Sequence, residues 1–383
     1  MQSPLLILGA SARAATQSAI RGGCGRVWAA DLFADADLRT CAEAVQVRDY
    51  PRGLISAMEQ APDGPWMYTG ALENHPRLVD QLGRLRPLLG CPGAVLRRVR
   101  DPRRLAEVVR SAGLTFPETR FDSFPAGEVG RWLCKPFRSA AGANLRLAKP
   151  SDNRPRRRQT TYFQRMVDGL PASAVFVGDG NRAVLVGATR QLIGCDWCGA
   201  SGFQYAGSLG PLALDEPQDA ELQRLGDRLA ENFGLVGLFG VDLLLRDDEL
   251  AVLEVNPRYT ASVEVLERAL DISTIPWHLA ACRGGGLPLR PTCESPAIVG
   301  KAILFALRPL TVRPKESQRW LAERAHSSPA PIADIPVAGT RLEVGQPVFT
   351  IFAQANNFTE VKQQLQANAA QRHAVLARAA LDA

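Results

Sequence analysis

Lysine is almost missing from this chain: of its 45 lysine and arginine residues only five are lysine, in 383 residues. Histidine is as scarce, and its four copies (His75, His278, His326, His373) lie far apart. No Ser-His or Cys-His nucleophile arrangement stands out. The eight cysteines fall into no framework, which fits a reducing cytoplasm. Cys195 and Cys198 form the one CxxC, but a zinc site would want a second pair or nearby histidines, and Cys282 and Cys293 are wrongly spaced. No apolar run approaches the roughly 18 residues of a membrane span. The opening Met1–Gly9 has no basic segment and reads as a strand, not a signal peptide.

What is present is ordinary for a globular chain: 46% hydrophobic and 22% charged residues, in a length that suits two or three domains. The net charge of +6 comes from arginines spread along the chain, so it does not point to nucleic acid. The one dense basic run, Arg154 to Arg158, reads as a solvated loop tip or a phosphate contact.

Residues 5–9 and 27–31 are short apolar strands around a helix opening at Ala10, the punctuation of a parallel sheet. The turn lacks the second and third glycines of a dinucleotide fingerprint. Trp66–Gly70 reads as a strand running into Ala71–Pro76, at a strand end where α/β folds collect ligands; a helix cap at Glu73 or Asn74 explains it equally. Asp101-Pro102 starts a helix, with a domain boundary near residue 100. Trp132–Pro136 is a strand with a lone lysine, Lys135, followed by a loop of small residues. Residues 174–186 read as a hairpin and 219–233 as an amphipathic helix. Beyond residue 285 short strands and turns suggest a small β-rich domain, then a terminal helix.

The strongest signal is Gly240–Arg258. Two apolar strands flank a polar turn at 246–249, and a turn centred near Asp248 places Asp242 opposite Glu254. Glu254 and Asn256 share a face. Opposed carboxylates repel and are best tolerated with a cation between them. Hard oxygen donors favour magnesium, which keeps sites open for phosphate oxygens. Asp242 alone reads as a solvated strand end; the set with Asn256-Pro257-Arg258 does not. Lys135 on an apolar strand suggests a phosphate contact, against a snorkelling surface lysine.

These residues resemble, over essentially the whole chain, the ATP-grasp superfamily of ADP-forming carboxylate–amine ligases. The β-α-β start resembles the pre-grasp domain, Asp101–Pro117 the opening of the grasp, Leu133–Pro136 its phosphate-binding strand, and Tyr162–Gly169 its adenine-contacting hinge. The resemblance implies an α/β (α+β grasp) fold: a pre-ATP-grasp parallel α/β domain (1–100), an ATP-grasp domain (101–288) and a C-terminal β-rich domain with a terminal helix (289–383). It implies ATP and Mg2+ as ligands. Lys135 would touch ATP phosphates, Gln164 and Val167 the adenine edge, and Ser173 the ribose. Asp242, Glu254 and Asn256 would hold magnesium, and Arg258 the transferred phosphate. The family's first ATP lysine is missing, with Arg103 as its candidate substitute, and only Gly142 remains of the glycine-rich loop. Motifs at Gln191–Gly194, Tyr205–Pro211 and Arg258–Ser262 are similar to the group of tyramine–glutamate ligases of methanofuran biosynthesis and their bacterial relatives in one-carbon metabolism.

The implied activity is amide formation through an acyl-phosphate, between a small-molecule carboxylate and an amine, in a cytoplasmic protein with no nucleic-acid or membrane partner. Dimers are common in the family. Arg190 and Tyr205 are candidates for holding the carboxylate, and Glu73 and Asn74 for reaching the amine. Two rivals stand beside this: an ATP-binding assembly or regulatory protein that has lost turnover, and a dehydrogenase using the first domain.

Overall fold

The computed structural model describes residues 3–128, 130–153, 160–246, 249–292 and 296–379. The basic run 154–158 and the turn residues 247–248 lie outside them. The first region is a parallel sheet of β1 (Leu5–Gly9), β2 (Val27–Asp31), β3 (Glu43–Gln46) and β4 (Trp66–Tyr68), in the order β3-β2-β1-β4. β1, β2 and β4 are buried along their whole length, because helices cover both faces. Their carboxyl ends point Asp31 and the 69–74 segment toward the rest of the chain.

A small antiparallel sheet follows: β5 (Thr119–Arg120), β6 (Trp132–Pro136), β7 (Arg146–Leu147) and β8 (Thr161–Arg165), ordered β5-β8-β6-β7. Phe124, Trp132, Cys134 and Phe163 form its own small core.

The centre of the molecule is an eight-stranded sheet. Its members are β9 (Leu170–Asp179), β10 (Ala183–Ile193), β11 (Tyr205–Gly210), β12 (Val236–Arg246), β13 (Glu249–Asn256), β14 (Ile298–Phe305), β16 (Ile332–Ala333) and β18 (Pro347–Ala355). The order is β13-β12-β9-β10-β11-β14-β18-β16, while β15 (Leu310–Thr311) and β17 (Arg341–Leu342) pair separately. The C-terminal strands thus extend the central sheet from its β11 edge. The β9–β10 hairpin turns where Asp179 accepts the backbone N–H groups of Asn181 and Arg182.

Alternation along the strands gives this sheet two unlike faces. One face carries Ala172, Ala174, Phe176 and Val241 and is packed by the helix Glu216–Phe233, whose Leu222, Leu225 and Leu229 are fully buried. Asp215 opens that helix with a capping box, its carboxylate accepting the Gln218 N–H. The other face is crossed by a polar row. Glu254, Asp242, Ser173 and Thr189 are register partners across four strands. Two positions further on, Gln191, Ser208 and Lys301 continue it across three. The helix Ala261–Leu270 lies over this row and ties into it, with Ser262 accepting from Thr189 at 2.9 Å and lying 3.3 Å from the Ser208 hydroxyl.

Candidate functional site

The β12–β13 hairpin is built around a bulge. Leu243 to Arg246 pair with Val252 to Glu249 in one register, and an irregularity between Asp242 and Leu243 then shifts it by one residue. Without that extra residue Asp242 would face Leu253; with it, Asp242 is the register partner of Glu254, and Gly240 of Asn256. Asp242, Glu254 and Asn256 therefore converge, the Asn256 amide donating to Asp242 at 3.0 Å and to Glu254 at 3.5 Å.

The electrostatics are those of a pair short of a cation. Burial and the neighbouring Glu254 charge push the Asp242 carboxyl up to about 7, against a smaller opposing bond from Ser173. Burial raises Glu254 too, but Arg100 and Lys135 outweigh it and hold that carboxyl below its usual range. Among the described residues no group of three or more His, Cys, Asp or Glu side chains is arranged as a closed metal site. The hairpin instead offers two carboxylates and one amide oxygen, an open shell of the kind magnesium shares with water and phosphate. The donor set and the mutual repulsion of the carboxylates fit such an ion.

Lys135 stands on β6, with only 9% of its surface exposed. Its ammonium donates to the Gln164 carbonyl oxygen at 2.8 Å across the β6–β8 pair. Among the described residues the Gln164 amide nitrogen is buried without a partner, an unfilled donor of the sort a ligand satisfies. A cleft lined by Arg100, Pro136, Phe137, Tyr162 and Glu254 separates the lysine sheet from the hairpin. Of the trio it is Glu254 that lines this cleft; Lys135, the register partner of the cleft-lining Tyr162, acts on Glu254 electrostatically. Ser173 on β9 is the register partner of Asp242, and Val167 is half-buried in the otherwise exposed link between β8 and β9.

Other sequence candidates fall differently. Arg258 is held by Glu73 of the first region: its Nε donates to Glu73 Oε1 at 2.8 Å, and its Nη1 to the Tyr259 carbonyl at 3.2 Å. The second Glu73 oxygen is buried without a partner, as are the hydroxyls of Thr69 and Thr260 close by. Tyr205 lies on the same side, its hydroxyl 2.8 Å from that of Ser208, with burial raising its ionisation far above the usual value. Asn74 is engaged elsewhere: it donates to the Ser139 carbonyl at 3.0 Å and accepts from Arg100 at 3.2 Å.

Arg190 stands away from the cleft, and Arg103 lies at its rim, over a Phe121 ring that contacts the cleft-lining Phe137 and Tyr162. Arg190 pairs in register with Ala172 and Leu209, the row opposite to Asp242, on the side that the C-terminal helix Phe358–Ala379 covers. Strand parity brings its neighbour Gln191 to the site instead, donating to Asp242 at 2.9 Å. Arg103 sits in the first turn after the Asp101 cap, its guanidinium 3.5 Å from the Phe121 ring on an exposed edge.

The arginine that does reach the site is Arg100, which the sequence reading passed over. Its Nη1 lies 3.4 Å from Glu254 Oε2, the Val255 carbonyl and Asn256 Oδ1. The signal available in the sequence was weak: Arg100 is one of five arginines between residues 97 and 104, and it alone falls in the break between the helices Gly93–Val99 and Pro102–Ser111, which turns it inward. Cys195 and Cys198 take no part. Both thiols are free, and burial keeps them protonated, Cys198 up to about 11.

Comparison with known proteins follows the same outline. A family model described as an ATP-grasp domain matches residues 99–262. The formate-dependent phosphoribosylglycinamide formyltransferase of Proteus mirabilis is 30% identical over 118 residues, 29% of this chain and 30% of the relative. The carbamoyl phosphate synthase large chain of a Mycobacterium species (strain JLS) is 24% identical over 207 residues, 49% of this chain and 18% of the relative. This chain thus spans less than a third of the length of either. Among solved structures, N5-carboxyaminoimidazole ribonucleotide synthetase of Thermus thermophilus superposes with a TM-score of 0.68 at 17% identity, over 96% of this chain and 98% of that one. Biotin carboxylase of Campylobacter jejuni gives 0.68 at 14% identity, over 94% and 89%. Residues 99–262 thus match the ATP-grasp domain model, and the chain shares the fold of these solved structures over nearly its whole length.

Proposed function

We propose that the chain is an ATP-dependent, ADP-forming ligase that joins a carboxylate to an amine. The observation that carries this is the convergence of Asp242, Glu254 and Asn256 on the hairpin, with Glu254 lining a cleft whose other side, Pro136, Phe137 and Tyr162, belongs to the sheet that carries Lys135. Supporting it, a structural neighbour of the same fold, the biotin carboxylase domain of Hydrogenobacter thermophilus 2-oxoglutarate carboxylase, is described in complex with MgADP and bicarbonate.

In this reading Lys135 and Arg100 contact the nucleotide's phosphates, and Gln164, Val167 and Ser173 lie along its adenine and ribose. Asp242, Glu254 and Asn256 hold magnesium, which supplies charge neutralisation of the phosphates when bound. A carboxylate oxygen attacks the γ-phosphorus and the bond to ADP breaks. The amine nitrogen then attacks the acyl carbon, phosphate leaves, and the nitrogen gives up a proton. Arg258 presents a planar fork to the transferred phosphoryl group. Glu73, with one oxygen on Arg258 and the other unpartnered, receives the amine, and Tyr205 borders the carboxylate. The protein positions and neutralises; it needs no covalent nucleophile.

The substrates proposed are small molecules, and the finer reading is an amide ligation akin to that of tyramine–glutamate ligases in methanofuran-type cofactor biosynthesis. A screen for phosphate release with MgATP tests both levels, using amino acids as acids and amines, with glutamate and tyramine or tyrosine included. Release that requires both an acid and an amine supports a ligase, and the best pair fixes the finer reading. MgADP binding with no turnover for any pair would instead make the chain a nucleotide-binding module.

A further inference from the structure

The short helical turn Leu72–Asn74 sends two adjacent side chains to two different places. Glu73 reaches Arg258, at the end of the cleft assigned to the amine and the phosphoryl group. Asn74 reaches the loop that follows the Lys135 strand, donating to the Ser139 carbonyl. Arg100 closes a triangle with them: one nitrogen lies 3.2 Å from both the Asn74 oxygen and the Ser139 carbonyl. Its other terminal nitrogen lies 3.4 Å from Glu254 and Asn256.

The loop itself is poorly anchored elsewhere. Residues 141, 143 and 144 are exposed. Ala141, Gly142 and Asn144 all have positive φ, of 53°, 76° and 60°, so two non-glycine residues hold a left-handed conformation there. Among the described residues, besides Ser139, its hold on other elements includes the Ala141 carbonyl, which accepts the Tyr205 N–H at 3.1 Å, and close contact of Gly142 with Phe203. The Ser139 carbonyl is therefore the point where the first region and the helix break both grip the loop.

We propose that Asn74 is a latch: a positioning residue that couples the amine end of the site to closure of the 139–144 loop over the nucleotide. Because Glu73 and Asn74 share one rigid turn, an amine drawn to Glu73 fixes the turn that holds Ser139, and a loop closed on nucleotide fixes the turn that presents Glu73. Each ligand then strengthens the other by the same factor, as linkage requires. The functional consequence is that ATP is held and spent when an amine is present. This rests on the ligase reading above, and its test separates the two.

The first arm uses a fluorescent N-methylanthraniloyl-ADP with Mg2+ and no other substrate. Asn74→Ala should release it about 3- to 10-fold faster than the parent chain, the worth of one or two hydrogen bonds, with a melting temperature lowered by no more than a few degrees. Asn74→Asp keeps an acceptor for Arg100 but loses the donor to Ser139, and should release as fast as Asn74→Ala. Equal release rates in all three proteins overturn the latch and leave the ligase reading standing, and a normal rate in Asn74→Asp alone overturns the Ser139 tether. Failure of the parent chain to bind the analogue overturns both proposals. The second arm uses the acid–amine pair from the phosphate-release screen. Asn74→Ala should raise phosphate released per amide formed several-fold. A proportional fall of both, with their ratio unchanged, is the result of a merely structural residue and overturns the coupling.

Discussion

Two clusters of buried charge lie on the polar face of the central sheet, and they differ in how far their charges are paired, although burial raises Asp35 and Asp37 in the first as it raises Asp242 in the second. At the junction of the three regions, Arg13 binds Glu264 at 3.0 Å and Asp334 at 2.9 Å, and Lys301 binds Glu264 at 2.7 Å. Asp37 accepts the Ile335 N–H at 2.9 Å and lies 3.7 Å from Arg324. Burial would raise the Glu264 carboxyl, but Arg13, Lys301 and Arg268 hold it well below its usual range. At the hairpin, by contrast, two carboxylates face each other and Asp242 is driven up to about 7. Near them Gln164, Glu73, Thr69 and Thr260 each keep a buried polar atom without a partner. A cluster that binds its own charges holds domains together; one that leaves them unsatisfied is waiting for a ligand.

Substitutions sharpen that contrast. The largest effect on turnover should come from Glu254→Gln, which removes one charge from the proposed ion site. Magnesium-dependent phosphate release should fall by on the order of 10²- to 10³-fold while denaturant stability holds or rises. Near-normal turnover would remove the metal assignment. Glu264→Ala should do the reverse. It leaves Arg13 and Lys301 buried without their shared partner and should cost about 3–5 kcal/mol of stability, read by denaturant titration, with little change in turnover per folded molecule.

His278 provides a pH test of the structural side. It is 3% exposed, its Nδ1 accepting the Leu238 N–H at 2.8 Å and its Nε2 lying 3.1 Å from the Leu89 carbonyl, so it joins the first region to β12. The acceptor role of Nδ1 assigns the proton to Nε2. Burial lowers its pKa to about 4, from an ordinary value of about 6.5. The unfolded chain therefore binds a proton that the folded chain refuses between those values. The contribution is present above about pH 6.5 and is lost as pH falls toward 4, amounting to about 3 kcal/mol. Denaturant curves for the parent chain and His278→Gln should converge over that window; a constant difference from pH 7 to 4 would contradict the assignment. Arg103→Ala should have the smallest effect, about 0.5–1 kcal/mol from the lost ring contact, with ATP affinity unchanged, because its guanidinium rests on Phe121.

How far the sequence revealed these clusters depended on distance along the chain and on strand parity. The β-α-β start, the Asp101 cap and the hairpin were legible because each depends on neighbours within a few tens of residues. The Asp242–Glu254 pairing is expected from a turn centred near Asp248; the hairpin instead closes Arg246 on Glu249, which alone would pair Asp242 with Leu253, and the bulge restores the expected partner. Arg190 shows how parity misleads: one position either way, Thr189 and Gln191 face the site and Arg190 does not. Arg100 and Arg13 were not legible at all, since their partners lie 154 and 251 residues away. Asn74 was assigned to the amine by its place at a strand end, while its bonds go to a loop 65 residues on.

The central claim is that nucleotide phosphates and a divalent ion lie between Lys135 and the hairpin carboxylates. Calorimetric titration with MgADP of the parent chain, Lys135→Ala and Glu254→Gln tests it most directly. The account predicts binding by the parent chain that weakens at least tenfold in both variants, at unchanged melting temperature. Equal affinity in all three proteins would contradict it.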